Sequence, residues 1–507
     1  MEERRIVSID LGTSKVALAM TRLDGHNVEM EYYRETPSAG VSRGAVTNVK
    51  KASEAIAEAI RQAEECTGQT ITGAVVNMPK YAVTRKGLVS RMERDGNTCV
   101  EEGEIAMLRT NAVNDCEAEI DEHECVYEAV AQSYSDEEDF QIPEEEAVGR
   151  TSTSLEGNFH LYVGRRKSIS DIDQAFTLAG RSCGMKFFPA IAGAESVLSP
   201  DEKENGVALV DIGAGATSVS IWKDGIMRWY DSIPFGGALV TRDIQKICRI
   251  GEKLAENIKK AYGVCMPERL YSLSDKVLKI QGDRQNPSCE LPVKFLSKIV
   301  TARMKEIVEA VLYMIQESGY ADSINSGIVL TGGGSRIGQC TFLVKEMSGL
   351  NVRQGMSRIL FTQVGMCDGV METPATLAVG MMLSARQRGY ANCAIPADPR
   401  ATETATAEPQ PQPDEEPEET VFSTEPEKTE TQEQEKTVKE KKTEKEKKQR
   451  HFWNPLLHPG EKDPGNEEEE EVRETPKKQE PAPQKPKEKE SRLGRLFDSL
   501  LEDEDEI

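Results

Sequence analysis

Apolar and polar positions near the N-terminus fall into short blocks of two different periods. Residues 5–25, RIVSIDLGTSKVALAMTRLDG, read as a strand, an Asp-x-Gly turn and a second strand. A third extended stretch follows. Ala52, Ala55, Ile56, Ala59, Ile60 and Ala63 recur at helical spacing within 50–66, which predicts an amphipathic helix. Residues 72–78, TGAVVNM, predict a buried strand stopped by Pro79. The opening hairpin then returns at 206–225, GVALVDIGAGATSVSIWKDG, with Asp211, Gly213 and Gly215 where the first copy has Asp10 and Gly12. Such an echo predicts two related half-domains facing each other.

Between the copies, residues 82–165 turn acidic and return through LEGNFHLYVG as a strand. Residues 170–184 predict a helix opened by Ser170 as N-cap, with Asp173 at its third position. A second helix over 190–198 runs into an acidic DEKEN turn. Beyond the second hairpin, Gly236 and Gly237 precede a helix expected from about Leu239, and 251–262 predict another. Residues 292–317 predict a long helix with Phe295, Ile299, Ala302, Val308, Val311 and Ile315 near one face. Residues 328–338, IVLTGGGSRIG, predict a strand ending at Gly332, Gly333 and Gly334, with Arg336 just beyond. The last strongly apolar helix is expected over 373–386.

Composition changes near Ala391. From there to about Glu490 the chain is Pro, Glu, Lys, Thr and Gln, which cannot bury a core and predicts a disordered linker. As a flexible coil it would reach roughly 55 Å. It holds one apolar island, HFWNPLLHP at 451–459, which reads as a docking motif, a transient membrane contact or a patch without a role. At 491–501, SRLGRLFDSLL, Leu493, Leu496, Phe497, Leu500 and Leu501 form one helical stripe flanked by Arg492 and Arg495. An amphipathic helix of this kind lies in the headgroup region of a bilayer. Five large apolar side chains at about 1.5 kcal/mol each, with about 1 kcal/mol per Arg near anionic lipid, would hold it there. The alternative is docking on a folded domain.

Charge and cysteine content narrow the class. The 507 residues carry a net charge of −24, which argues against a nucleic-acid partner. Eleven cysteines without a CxxC pair, and five histidines without a clustered motif, read as reduced thiols and no zinc site. MEERR leads straight into a strand, so no signal peptide is expected.

The chemistry of the paired turns is that of a phosphate cradle. Glycines let backbone approach a ligand, and successive N–H groups can point into one concavity. Thr13, Ser14 and Thr217 would add hydroxyl donors and Lys15 a positive charge. Asp10 and Asp211 would repel phosphate directly, and so suit a Mg²⁺ held between through water. The competing reading is that Asp-Gly turns only close hairpins.

Phosphate turn, second phosphate turn and glycine triplet, in that order, resemble the superfamily of actins, heat-shock ATPases and sugar kinases. Within it, GGALVTRDI (236–244), AENIKKAYG (255–263) and ESVLSPDEKENG (195–206) resemble the bacterial cell-division FtsA family, over roughly residues 5–388. The resemblance implies an α/β, actin-like duplicated ATPase fold with two half-domains around a cleft for ATP and Mg²⁺. It implies subdomain 1A over 1–81 and 166–204 with 374–390, an inserted subdomain 1C over 82–165, 2A over 205–264 and 323–373, and 2B over 265–322. A charged linker over 391–490 and a membrane-targeting helix over 491–507 would follow.

In that family's pattern Glu195 would orient the attacking water, and Glu256 and Lys259 would lie beside ribose and base. Arg303, in an RxxE pattern with Glu306, would meet the C-terminal peptide of FtsZ. A salt bridge with Glu306 is the other reading of Arg303. Subdomain 1C would serve subunit contacts in a filament and recruit downstream division proteins. The family places the protein at the cytoplasmic face of the inner membrane, peripheral, at the division site, with at most a weak ATPase. The second turn departs from the family's Asp-x-Gly-Gly-Gly-Thr-Thr by carrying Ala214 and Ala216, which favours binding over hydrolysis. A small-molecule kinase or a pilus-assembly ATPase of the same fold are the alternatives.

Overall fold

The computed structural model describes residues 4–24, 27–280, 289–358, 361–390 and 393–396. The chain enters through antiparallel strands β1 (Arg4–Leu11), β2 (Lys15–Asp24) and β3 (Asn27–Pro37). Helix α1 (Val49–Thr67) follows where its alanine and isoleucine spacing put it. The Asn48 side chain accepts from Lys51 N at its start, and Gly68 ends it at φ 64°, a left-handed conformation that glycine takes without Cβ strain. Strand β4 (Gly73–Asn77) is buried throughout.

The acidic segment folds into a sheet of its own. Strands β5 (Thr84–Cys99), β6 (Glu124–Ser135) and β7 (Thr151–Arg165) make an antiparallel sheet in the order β5-β7-β6, with helix α2 (Glu102–Glu119) on it. Leu108, Tyr134, Phe159 and Leu161 are fully buried between them.

Helix α3 (Arg166–Leu178) corrects the expected 170–184 helix. It starts directly off β7, so Ser170 is interior and its hydroxyl accepts from Gln174 rather than capping. Gly180, at φ 69°, ends it, and β8 (Ser182–Phe187) then pairs parallel with β4. Helix α4 (Pro189–Val197) leads to α5 (Pro200–Asn205), a short helix where a turn was expected. Ser199 accepts from Glu202 N while the Glu202 carboxylate accepts from Ser199 N, a capping box that the SPDE stretch supplies locally.

The second half repeats the first. Strands β9 (Val207–Ile212), β10 (Thr217–Lys223) and β11 (Ile226–Ile233) are followed by helices α6 (Gly237–Cys248) and α7 (Glu252–Tyr262). A small hairpin, β12 (Val277–Ile280) and β13 (Cys289–Pro292), precedes the long helix α8 (Val293–Glu317). The buried face of α8 is not quite the one expected. Phe295 is 46% exposed and Ala302 is exposed, while Leu296, Val300, Met304 and Ile307 are inside. The helix packs on both α6 and β10, which rotates its covered stripe. The chain continues through β14 (Ile328–Thr331), α9 (Cys340–Ser348), β15 (Val352–Gln354), β16 (Thr362–Met366) and α10 (Thr376–Gln387).

The duplication is explicit in the two main sheets. One runs β3-β2-β1-β4-β8, with β16 added outside β3, and the other runs β11-β10-β9-β14-β15. In both, the first three strands are antiparallel and the last two join in parallel. Helix α10 packs back on the first sheet, where Ser8 Oγ donates to Ala378 O at 2.8 Å. A Cβ at Gly380 would stand 1.8 Å from Ala192 O, so only glycine lets α10 cross α4 this closely.

The fold extends past the expected start of the linker. Cys393 is buried, and β17 (Ala394–Pro396) pairs antiparallel with Gln69–Ile71. The rest of the linker lies outside the described residues. So do the 451–459 island and the expected membrane helix with Arg492, Leu493, Arg495, Leu496, Phe497, Leu500 and Leu501. Among the described residues no helix is long and apolar enough to cross a membrane.

Candidate functional site

Two hairpin tips face each other. The first sheet ends β1 at Leu11, with Asp10 opposite Ala17 and Leu11 opposite Val16; the second ends β9 at Ile212, with Asp211 opposite Ser218 and Ile212 opposite Thr217. The turns match in detail, since Gly12 N donates to Lys15 O at 3.0 Å and Gly213 N to Ala216 O at 3.0 Å. A cavity of about 360 Å³ lies between them, lined by Asp10 to Lys15 from one side and Asp211, Gly213, Gly215 and Ala216 from the other. That size suits a small-molecule ligand. It sits at the carboxyl ends of β1 and β9, where open parallel sheets place ligands.

The glycines are there for close approach. A Cβ at Gly215 would stand 2.7 Å from Thr13 Oγ1 and 2.9 Å from Arg43 N. Gly332, at φ 81°, would place one 2.2 Å from Asp211 Oδ1. The glycine triplet leaves β14 in a tight turn over Gly333–Arg336, and all three glycines line the cavity with Arg336. Arg336 also pairs with Glu372 at 3.0 Å.

The charges inside are arranged in pairs. Lys15 Nζ is 2.7 Å from Glu35 Oε1 and donates to Pro374 O at 3.0 Å. Burial pushes the Asp10 carboxyl up to about 6; Asp211 adds to the rise while Lys15 and Lys80 oppose it. Glu256 and Lys259 line the cavity 2.7 Å apart. Lys259 Nζ also donates to Gly237 O at 2.9 Å and Thr241 Oγ1 at 2.8 Å. Burial holds the Lys259 ammonium below its usual range. Glu256 is held low by Lys259 against the opposing effect of burial.

Several expected residues fall elsewhere. Thr217 is fully buried, and its hydroxyl donates to Phe235 O at 2.7 Å. It occupies the register position of Val16, a strand residue, and not a turn position, so it offers no donor to the cavity. Gly236 does not line the cavity. The helix start it precedes is occupied, because Gly237 N donates to Gly213 O and Ala238 N to Ala214 O, both at 2.9 Å. That start pins the second turn instead of aiming at a ligand.

Glu195 is also outside the lining, its carboxylate 2.6 Å from Lys203 Nζ. Its side of α4 faces the α5 turn, which removes the geometric basis for a water-orienting role. Arg303 holds Asp243 through Nε at 2.6 Å and Nη2 at 3.1 Å, and Glu306 through Nη1 at 2.7 Å. Its fork is thus engaged in tying α8 to α6.

Sequence reading missed Lys80 and Asn77. Lys80 Nζ reaches across to Asp211 Oδ2 at 2.7 Å, and Asn77 Oδ1 accepts from Leu11 N at 2.7 Å. The available signal was position. Asn77 ends, and Lys80 follows, a buried strand parallel to β1, so they emerge at the same sheet edge as Asp10.

The arrangement fits a metal-bound polyphosphate. Bare backbone stands where a Cβ at Gly215, Gly332 or Gly334 would collide, cations lie on both sides, and Asp10 and Asp211 face one cavity, with Glu35 and Glu256 also on its wall. Among the described residues no group of three or more His, Cys, Asp or Glu could cage a metal alone.

Residues 208–379 match the family model for "Cell division protein FtsA". The cell division protein FtsA of Neisseria meningitidis serogroup B is 29% identical over 391 residues, covering 76% of this chain and 91% of that protein. That of Pseudomonas aeruginosa is 29% identical over 390 residues, covering 76% and 90%. That of Escherichia coli K12 is 24% identical over 393 residues, covering 75% and 90%. A solved structure, the PilM-PilN type IV pilus biogenesis complex, superposes with a TM-score of 0.52 at 14% identity, over 75% of this chain and 98% of that one. At that identity the likeness speaks for the fold alone, and the fold is actin-like.

Proposed function

We propose that this chain, a relative of the FtsA cell division proteins, is an actin-like ATP- and Mg²⁺-binding protein that polymerises and tethers FtsZ filaments to the inner face of the cytoplasmic membrane. The observation that carries the reading is the single cavity shared by two matched glycine turns, with Asp10 and Asp211 both on its wall. Thr13, Ser14 and Lys15 would hold phosphate from one side and the backbone of 213–216 from the other. Gly332 to Gly334 would lie against the adenosine, with Glu256, Lys259 and Arg336 at its margin. Asp10 and Asp211 would hold Mg²⁺ through water, and the ion would neutralise phosphate charge.

The residues favour binding over turnover. Ala214 and Ala216 bring no hydroxyl to the second turn, and Glu195 is paired with Lys203 outside the cavity. The role is accordingly structural, with at most a weak ATPase, and ATP would set the angle between the halves by closure around the ligand. Self-association head to tail would give open filaments. Residues 82–165 would serve subunit contacts and downstream division proteins. The FtsZ C-terminal peptide would meet the α8 face near Arg303, exchanging one of that residue's carboxylate partners for its own. The stripe of 491–501 would bind anionic lipid at the division site.

The test is one protein in two assays. ATP affinity is measured with and without Mg²⁺ for the native chain and Asp211→Ala, and sedimentation with anionic liposomes for the chain with and without 491–507. The expected results are a Mg²⁺-dependent affinity that drops at least about tenfold in the variant, equivalent to about 1.4 kcal/mol, and liposome binding lost on deletion while ATP binding remains. Equal ATP affinity in all four conditions would remove the cleft assignment. Unchanged liposome binding would remove the anchor.

A further inference from the structure

The segment that carries the chain into the inserted sheet runs through the cleft. Strand β4 ends at Asn77, β5 begins at Thr84, and Lys80 lies between. Its ammonium, 2.7 Å from Asp211 Oδ2 and 3.4 Å from Asp211 O, ties that segment to the second half. Both side chains are largely covered, at 13% and 24% exposed. The backbone of the same residue is held as well, because Tyr230 OH donates to Lys80 O.

Tyr230 is the joint to the insertion. Its ring lies 5.9 Å from Tyr162 on β7 and 4.8 Å from Phe188, and Tyr162 stacks on Phe188 at 5.3 Å. Beside it, Gln132 Nε2 on β6 donates to Met227 O at 3.1 Å, and Arg228 Nη1 donates back to Gln132 O at 3.0 Å. Strand β11 therefore contacts the cleft segment through Tyr230, and the inserted sheet through Tyr230, Met227 and Arg228. Such packed contacts move together rather than deforming continuously.

A divalent cation drawn to Asp211 with a nucleoside triphosphate would face the Lys80 ammonium at close range. Like charges in a partly desolvated cavity repel strongly, while phosphate oxygens offer the ammonium an alternative partner. We propose that Lys80 is a nucleotide-sensing latch. In the contacts described above it holds Asp211 and fixes the root of the inserted sheet against β11. When a metal–nucleoside triphosphate engages Asp211, Lys80 turns to a phosphate oxygen, and the inserted sheet shifts relative to β11. This rests on the cleft being the nucleotide site, and it adds that occupancy is read out on 84–165 through Lys80 and Tyr230.

The experiment is hydrogen exchange by mass spectrometry on the full chain, with and without Mg·ATP, for the native protein, Lys80→Gln and Tyr230→Phe. Each is accompanied by an ATP titration. In the native protein, Mg·ATP is expected to speed exchange in 78–84, 124–135 and 226–233 about fivefold or more, the low end of ordinary site–site coupling. Lys80→Gln should show the fast rates already without nucleotide. Tyr230→Phe should bind Mg·ATP as the native protein does and lose the response in 124–135.

Binding with an undiminished response in Tyr230→Phe overturns the latch and leaves the cleft assignment standing. Native binding with no response in 124–135 does the same. Absence of Mg·ATP binding by the native protein overturns both. If Lys80→Gln unfolds, the Tyr230→Phe arm still decides.

Discussion

The two glycine turns share a backbone and differ in chemistry. The first, Gly-Thr-Ser-Lys at 12–15, carries two hydroxyls and its own cation; the second, Gly-Ala-Gly-Ala at 213–216, carries none. Their turn hydrogen bonds and strand registers coincide. The second turn borrows what it lacks. Lys80 arrives from the first half to stand beside Asp211, while Lys15 serves the first half from within its own turn. Duplication thus preserved the geometry of a cradle, and the division of charge was rebuilt by a residue outside the repeat. One wall can grip by side chain, and the other can only present backbone.

The sharpest way to break the comparison is at the roof both turns share. Gly332→Ala places a Cβ 2.2 Å from Asp211 Oδ1 and 2.5 Å from Ile212 O, at a φ that L residues rarely adopt. Overpacking and backbone strain together are expected to cost about 3 kcal/mol in urea unfolding. ATP binding should be lost with it, because Asp211 must move.

A smaller effect separates the two aspartates by pH. The Asp10 carboxyl sits near 6 in the folded chain against an ordinary 3.8. Between those values the folded state holds the extra proton, so Asp10's contribution to stability is present at low pH and is lost as pH rises toward 6. The full loss is of order 2–3 kcal/mol. Unfolding measured at pH 4 and 7 should show it as a difference between the native chain and Asp10→Asn, which lacks the titration. Mg·ATP should shrink the difference by favouring the ionised form. No pH dependence of the native-minus-variant difference would contradict the desolvated setting of the half-buried Asp10.

The smallest test compares hydroxyls. Thr217→Val removes one buried hydrogen bond and should cost about 1 kcal/mol of stability with ATP affinity unchanged. Thr13→Val should lower affinity severalfold, with a stability cost of up to about 1 kcal/mol because its hydroxyl accepts from Gly44 N at 3.0 Å. If Thr217→Val weakens ATP binding as much as Thr13→Val, the register assignment of the second turn is wrong.

The hairpins, the α1 stripe, the buried β4 and the glycine triplet were legible because each depends on neighbours along the chain. Period, turn chemistry and caps act within a few residues, and the echo of Asp10 in Asp211 needs only a repeated string. The same locality explains the misses. Ser170 looked like a cap because nothing nearby revealed that α3 grows straight out of β7. Thr217 looked like a phosphate donor because the motif, read as a string, does not say which residues are turn and which are already strand. The exposed Phe295 followed from α8 having two elements to cover instead of one.

By itself, the sequence determined that this chain has two matched Asp-x-Gly hairpins, an acidic inserted segment, a glycine-rich stretch after a late strand and an abrupt change of composition near Ala391. Tertiary structure alone decided which charges share the cavity. Lys80 and Asp211 meet because two sheets face each other, Glu195 is withdrawn because Lys203 on the next helix reaches it, and Arg303 is engaged because α6 brings Asp243 to it. Electrostatic partnership depends on distance in space and on burial, and neither is encoded by spacing along the chain.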